Sequence, residues 1–364
     1  MSGSRVALAA LLARLHASSQ FAELQQRLRR DRAASLIHVP HAAKGVLGAA
    51  LARDARLVWI ARNPEVAERV ADSLRAWSAD PERITLLEPR SSLPYERGEL
   101  VVDESAGRVA ALAAWGSGES RILVTSLLAA LQNSADPSAL VEGSLSLLPG
   151  TRMSLDEATE RVAALGYERV PLVGGRGEYA RRGGILDCFP AGAQAPMRVE
   201  WFGDEIESIR SIDPATQRSG APLTRAILLP ASEFPLTAAV VLKAKRAAEA
   251  IAEKDGVELS PALRADLARW EASPTPERGD GLEIWSPLIA PSRPFDQFNG
   301  ALVILDEPSE LISSAESLAR QSAERFDVLK TTRILPPSWP APIPPPAVSL
   351  TLLSSLGAEH LELT

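Results

Sequence analysis

Apolar residues recur every three or four positions through Leu8, Leu11, Leu12, Leu15, Phe21 and Leu24, which predicts an amphipathic helix within residues 1–32. Short unbroken apolar runs follow at Ser35 to Val39, Leu57 to Ala61 and Ile122 to Thr125. Each is followed by a helical pattern, at about 45–52, 64–77 and 126–132. Strands alternating with helices predict a parallel α/β layer. A second such region lies downstream, with helices at about 237–255 and 260–272, a buried strand at Ala301 to Leu305 and a helix to about Arg325. Glu271 to Asp280, rich in Ser, Pro, Thr and charge, reads as a loop.

Between these regions the period changes from 3.6 to 2. Ser154 with Glu157 three residues later forms a capping box, and Gly166 closes the helix it opens. Gly184 to Phe189 is a mostly apolar strand stopped by Pro190. Met197 to Phe202 puts Val199 and Trp201 on one face and Arg198 and Glu200 on the other. Gly203-Asp204 makes a tight turn into an alternating strand, Glu205 to Ile212, which Asp213-Pro214 ends. One helix against three strands is a small α+β unit.

Charge sharpens this picture. Residues 151–219 hold nine arginines and no lysine against eleven Asp and Glu, so the unit as a whole is slightly acidic. Within 169–198, however, Arg169, Arg176, Arg181, Arg182 and Arg198 face only Glu178 and Asp187. Guanidinium forks suit carboxylates on a partner surface. From composition alone, a solvated face is the plainer account. The whole chain, 364 residues with net charge −7, is long enough for two to four domains, and its acidity argues against a surface dedicated to nucleic acid. A single cysteine, Cys188, rules out an intrachain disulfide and fits a reducing cytoplasm. No stretch approaches the roughly 18 apolar residues of a membrane span, and charge recurring from Arg5 to Arg32 does not fit a secretory signal. The expectation is a cytoplasmic protein with no membrane partner.

Gly177 to Ser219, reading GEYARRGGILDCFP and then RVEWFGDEIESIRSIDPATQRS, resembles the UvrA-binding module shared by UvrB and transcription-repair coupling factors. Its ending, Ile212 to Ser219, is closer to the coupling factors. The resemblance extends to Ser92-Leu93-Pro94-Tyr95 with Arg108, to Ile122 to Ser126 with Ala129, Leu131 and Gln132, to Leu228 to Pro235, and to Glu283 to Leu288. It implies an α/β fold: a degenerate UvrB/RecA-like layered domain in two halves, with the small UvrA-interaction domain inserted. The corresponding boundaries are 1–140, 141–227 and 228–330, then a proline-rich linker at 331–347 and the start of a further domain at 348–364. Carried over position by position, Arg182 and Arg198 pair with carboxylates of UvrA and Glu200 answers a basic partner residue. Arg169 and Arg181 extend the patch, and Phe189 is either an apolar anchor or support beneath the sheet. Ala180 stands where UvrB has a further arginine.

The chain departs from UvrB where nucleotide would bind. A phosphate-cradling loop needs glycines before its lysine and a hydroxyl after it. Here the stretch is Val39-Pro40-His41-Ala42-Ala43-Lys44-Gly45-Val46, so Lys44 reads as a surface residue. Asp306-Glu307 after an apolar strand then reads as a turn or helix start rather than a magnesium pair. No metal or cofactor is expected in these residues; in the full-length family, ATP and magnesium belong to a motor. The implied function is non-catalytic recruitment of UvrA in transcription-coupled excision repair, with RNA polymerase and DNA engaged by domains absent from this chain. A UvrB-type damaged-DNA-binding ATPase or helicase and a structural UvrB-like protein with another partner are the alternatives.

Overall fold

A computed structural model describes residues 12–98, 101–234, 236–272, 280–344 and 360–364; Leu8, Leu11 and most of the expected 271–280 loop lie outside them. Helix α1 (Ser19–Asp31) is opened by the Ser18 side chain, so the predicted N-terminal helix is interrupted at Ala17-Ser18. Strand β1 (Ala33–Leu36), α2 (His41–Leu51), β2 (Leu57–Ala61), α3 (Pro64–Trp77), β3 (Ile84–Leu87), α4 (Val102–Gly116) and β4 (Ile122–Ser126) follow in turn. Two short helices, α5 (Leu127–Leu131) and α6 (Pro137–Glu142), lead to β5 (Leu145–Leu147), α7 (Leu155–Ala164) and β6 (Glu168–Arg169). The small sheet continues with β7 (Glu178–Arg182), β8 (Ile185–Cys188), β9 (Met197–Phe202), β10 (Glu205–Ile212) and β11 (Ser219–Pro222). Finally come β12 (Ala226–Leu228), α8 (Ala238–Lys254), α9 (Pro261–Glu271), α10 (Leu282–Ile289), β13 (Leu302–Asp306), α11 (Pro308–Thr331) and β14 (His360–Leu363).

The first sheet is parallel throughout, ordered β1-β14-β13-β2-β4-β3. Alternate residues of its strands feed two cores. Val58, Ile60, Leu123, Val303 and Leu305 pack with α4, α5 and the start of α11. Leu57, Trp59, Ile122, Val124 and Ile304 pack with α1, α2 and α3 on the other face. Burial on both faces explains why these strands read as unbroken apolar runs. Residues 360–363, expected to open a further domain, instead lie between β1 and β13 as β14. Their pairing partners sit far away in sequence, which no local pattern reveals.

The small sheet is ordered β11-β10-β9-β8-β7-β6, antiparallel except for the short β6–β7 pair. Its core side packs Tyr179, Leu186, Val199, Trp201 and Ile206 on Ala158 and Val162 of α7. Ser154 caps that helix as the capping box predicts, and Gly166, at φ 83°, takes the left-handed turn that ends it. Entry and exit of this unit meet where β5 pairs with β12.

A third, helical cluster joins α8, α9 and α10 around Trp270, Trp285 and Trp339, whose rings meet edge to face at 5.3 and 5.2 Å. The proline-rich segment expected as an extended linker packs onto this cluster. Leu335 and Trp339 are buried in it, the Trp339 indole donates to the Ile284 carbonyl at 2.9 Å, and Ile343 is buried in the first core of the parallel sheet. Prolines set the path of this chain without keeping it off the core; residues 345–347 lie outside the described residues.

Where the three parts meet, two guanidinium groups are buried against two carboxylates. Arg108 of α4 donates through Nε to both oxygens of Glu233, at 2.9 and 3.0 Å. Arg90, beyond β3, reaches Glu233 at 2.8 Å and forms a two-pronged contact with Glu283 of α10. Gln132 exchanges hydrogen bonds with the Arg90 backbone, and the Arg90 guanidinium lies 4.8 Å over the Phe234 ring. Burial acts against both arginines; Arg90, facing two carboxylates, is nevertheless raised above the ordinary guanidinium pKa, whereas Arg108 is lowered. Truncating one member of such a buried set strands the opposite charges. Glu233→Ala is therefore expected to cost about 3–5 kcal/mol of stability in urea unfolding; a loss below about 1 kcal/mol would show that the cluster carries no structural weight.

Candidate functional site

The small sheet has two faces with different jobs. Cross-strand pairing places Ala180, Asp187, Arg198 and Arg210 in one row and Arg182, Ile185, Glu200 and Ser208 in the next. Both rows lie on the face turned away from α7. Of the residues singled out in the sequence, Arg182, Arg198 and Glu200 therefore share this outer face. Arg181 lies on the opposite face, beside Leu186, and ion-pairs with Asp156 of α7. Arg169 pairs with Tyr179 on the two-residue edge strand and is exposed. The structure thus separates the arginines that the sequence groups as one patch.

The outer-face residues differ in how free they are. Arg198 grips Asp187 with two parallel bonds, Nε to Oδ1 at 2.7 Å and Nη2 to Oδ2 at 2.8 Å. The hydrogen bond to Asp187 outweighs burial and holds its pKa above the ordinary value. Glu200 accepts from the Ser208 hydroxyl at 2.7 Å. Arg182 is exposed and spends one nitrogen on the Pro171 carbonyl, at 2.9 Å. Of the three charges it is the least committed within the chain.

Phe189 is nearly buried: 8% exposed, it packs with Val173 and Ala180, and the Arg176 guanidinium lies 5.2 Å over its ring. Arg176 also reaches Asp103 of α4 at 3.0 Å, tying the unit to the first layer. The glycine loop wraps a carboxylate: Glu178 accepts from the backbone of Gly174 and Gly175, each at 2.7 Å. Gln217, in the motif that ends the module, donates to the Val173 carbonyl at 3.2 Å and pins the same loop from the other side. Cys188 is buried, and burial, reinforced by Asp187, pushes its thiol up to about 12, which suits packing rather than nucleophilic chemistry.

Lys44 is not on the surface. It is 2% exposed, and its ammonium lies 2.6 Å from both Asp306 Oδ1 and Glu307 Oε1. Burial opposes the charge, but the two carboxylates prevail and hold the lysine pKa above its ordinary value. The other Asp306 oxygen accepts from the Trp59 indole at 3.3 Å. Glu307 precedes α11 at φ 56°, a left-handed conformation uncommon for a non-glycine residue. A cleft of about 430 Å³ opens beside them, lined also by His41, Arg62 and Arg69. The partners that bury the lysine lie more than 260 residues away in sequence, beyond the reach of any local pattern. Among the described residues, no group of three or more His, Cys, Asp or Glu is placed to hold a metal, and no helix is long and apolar enough to cross a membrane.

Comparison with known proteins fits this geometry. The UvrB interaction domain family matches residues 145–234, from the first residue of β5 to just past Glu233. The chain is 28% identical over 248 residues to the transcription-repair-coupling factor of Escherichia coli, covering 65% of this chain and 20% of that protein. The Mycobacterium bovis factor is 35% identical over 187 residues, 50% of this chain and 15% of that protein. The Myxococcus xanthus factor is 32% identical over 244 residues, 64% and 20% respectively. Residues 145–234 thus match the UvrB interaction domain family. Over half to two-thirds of its length the chain is homologous to transcription-repair-coupling factors, consistent with an N-terminal region of that family. It spans about a fifth or less of the length of these relatives.

Arg182 and Arg198 should separate on stability alone. Arg182→Ala is expected to leave thermal unfolding unchanged. Arg198→Ala strands the buried Asp187 carboxylate and should cost about 2 kcal/mol. Equal melting curves for the two variants would contradict this division of roles.

Proposed function

We propose that this chain docks UvrA through the outer face of its small sheet, with Arg182 as the leading charged contact. In this reading it is the non-catalytic, N-terminal part of a transcription-repair coupling factor and recruits the excision machinery in transcription-coupled repair. The observation that carries it is the coincidence of the UvrB interaction domain match with an exposed arginine on an open sheet face, near the Arg198–Asp187 pair and a Glu200 that accepts from Ser208. Arg198, paired with Asp187, and Glu200, which accepts from Ser208, then set the electrostatic landscape around Arg182, while Arg169 is exposed on the edge strand and Arg181 is turned to the α7 side. Interfaces favour arginine in such positions because its fork meets a carboxylate with little further ordering.

The first layer is read here as a degenerate UvrB/RecA-like domain. Its support is a lysine at the start of the helix after β1 and an acidic pair at the end of the central strand β13. The same placement favours the second reading, a UvrB-type ATPase. Against that reading, the ammonium is already bound by both acids, and Asp306 has its second oxygen on Trp59. Phosphate binding would require Lys44 to give up two short ion pairs. Contacts with RNA polymerase and DNA, and any motor activity, are assigned in this reading to other parts of a full-length protein.

Calorimetry with purified UvrA tests the proposal. The wild-type chain is expected to bind, and Arg182→Ala to weaken binding by about 2 kcal/mol while its circular dichroism spectrum stays unchanged. Unaltered affinity in that variant would remove Arg182 from the interface.

A further inference from the structure

Gln217 stands where the backbone favours a different residue. Its φ is 57°, in the left-handed region that glycine or asparagine ordinarily fills. It closes the turn between β10 and β11. In that turn Asp213 accepts from the Ala215 and Thr216 amides at 2.9 and 3.1 Å, and the Gln217 amide donates to the Asp213 carbonyl at 2.7 Å. Those bonds leave the glutamine side chain free for other work. Its Nε2 donates to the Pro214 carbonyl at 3.1 Å within the turn and, 44 residues away in sequence, to the Val173 carbonyl at 3.2 Å. A disfavoured backbone angle combined with a long-range side-chain bond points to a role beyond closing the turn.

The loop that Gln217 reaches joins β6 to β7. Backbone bonds tie its ends: the Val170 amide donates to the Tyr179 carbonyl at 2.9 Å, and the Gly177 amide to the Phe189 carbonyl at 2.8 Å. Between them side chains hold it. Arg182 takes the Pro171 carbonyl, Gln217 the Val173 carbonyl, and Glu178 the Gly174 and Gly175 amides. Val173, buried, packs on Ala180 of the outer face, while Leu172, 51% exposed, lies between the two held carbonyls. A segment followed by two glycines has little stiffness of its own. Where the Pro171 carbonyl sits therefore depends on how Val173, two residues on, is fixed. That carbonyl in turn orients Arg182, whose long side chain is otherwise exposed. A guanidinium held before docking loses less rotamer freedom on docking.

We infer that Gln217 is a positioning residue of the docking face: by holding Val173 it fixes the Pro171 carbonyl and so presets the Arg182 fork for a carboxylate on UvrA. This rests on the docking reading above. Gln217 acts through Arg182 and meets no partner group itself.

The test is a double-mutant cycle. Gln217→Gly is the clean variant, because glycine enters the left-handed region freely and removes the amide while keeping the backbone of the turn. Gln217→Asn, which tolerates the same backbone with a shorter side chain, runs the same cycle should the glycine variant melt early. Calorimetry of the full chain with UvrA compares wild type, Gln217→Gly, Arg182→Ala and the double variant, with thermal melting recorded for each. Gln217→Gly is expected to bind about 5-fold more weakly than wild type, yet to change the affinity of Arg182→Ala by less than about 2-fold. A loss of equal size in both backgrounds would show that Gln217 acts otherwise than through Arg182 and overturn the inference. Wild-type affinity in Gln217→Gly would overturn it too, and in either case a weakened Arg182→Ala leaves the docking face standing. If Arg182→Ala binds as wild type does, or wild type does not bind UvrA, the leading contact and its positioning residue fall together.

Discussion

Arg90 and Arg108 bring two positive charges into the interior, and Glu233 and Glu283 are what make that tolerable. The four residues come from four places: the loop beyond β3, helix α4, the exit of the small sheet and helix α10. Because a buried charge cannot be left without its counterpart, parallel layer, inserted sheet and helical cluster must meet in one arrangement. A hydrophobic contact tolerates some sliding, whereas a forked guanidinium facing a carboxylate does not. Arg176, bonded to Asp103 and covering Phe189, adds a second, peripheral tie between the sheet unit and α4. The outer face of the small sheet, the proposed docking face, is thereby presented in a set direction with respect to the first layer.

Similar economy governs the site that resembles a nucleotide pocket. Where a phosphate-binding protein would hold its lysine open, this chain closes it with Asp306 and Glu307, so the charges that a ligand would need satisfy each other. The two sites thus differ in kind: Lys44 is turned inward and paired with Asp306 and Glu307, while Arg182 on the small sheet is turned outward.

Much of this fold was legible because local rules agreed with one another. Strands β9 and β10 fall where alternation and the Gly203-Asp204 turn put them, and α7 starts after its Ser154 cap and stops at Gly166. Helix α3 falls on the helical pattern at about 64–77, and in the structure Asn63 caps it with Pro64 in the first turn. What escaped depends on distance in sequence. Strand β14 is defined by neighbours from both ends of the described chain, and Lys44 is buried by residues that follow it by more than 260 positions. Arg108, Gln132, Glu233 and Glu283 stood out as parts of separate motifs, yet their convergence appears only in three dimensions. The candidate site was legible in its arginines but not in its faces. That Arg181 points to α7 follows from the register of β7 against β8.

Hydroxyl-radical footprinting of the chain with and without UvrA tests the central claim most directly, because it reads side-chain exposure across the molecule in one experiment. Protection on binding is expected at Ile185 and Leu172, with Ile37 and Val328, exposed elsewhere, labelled equally in both states. Binding of UvrA that leaves the outer face fully labelled and protects another surface would contradict the account.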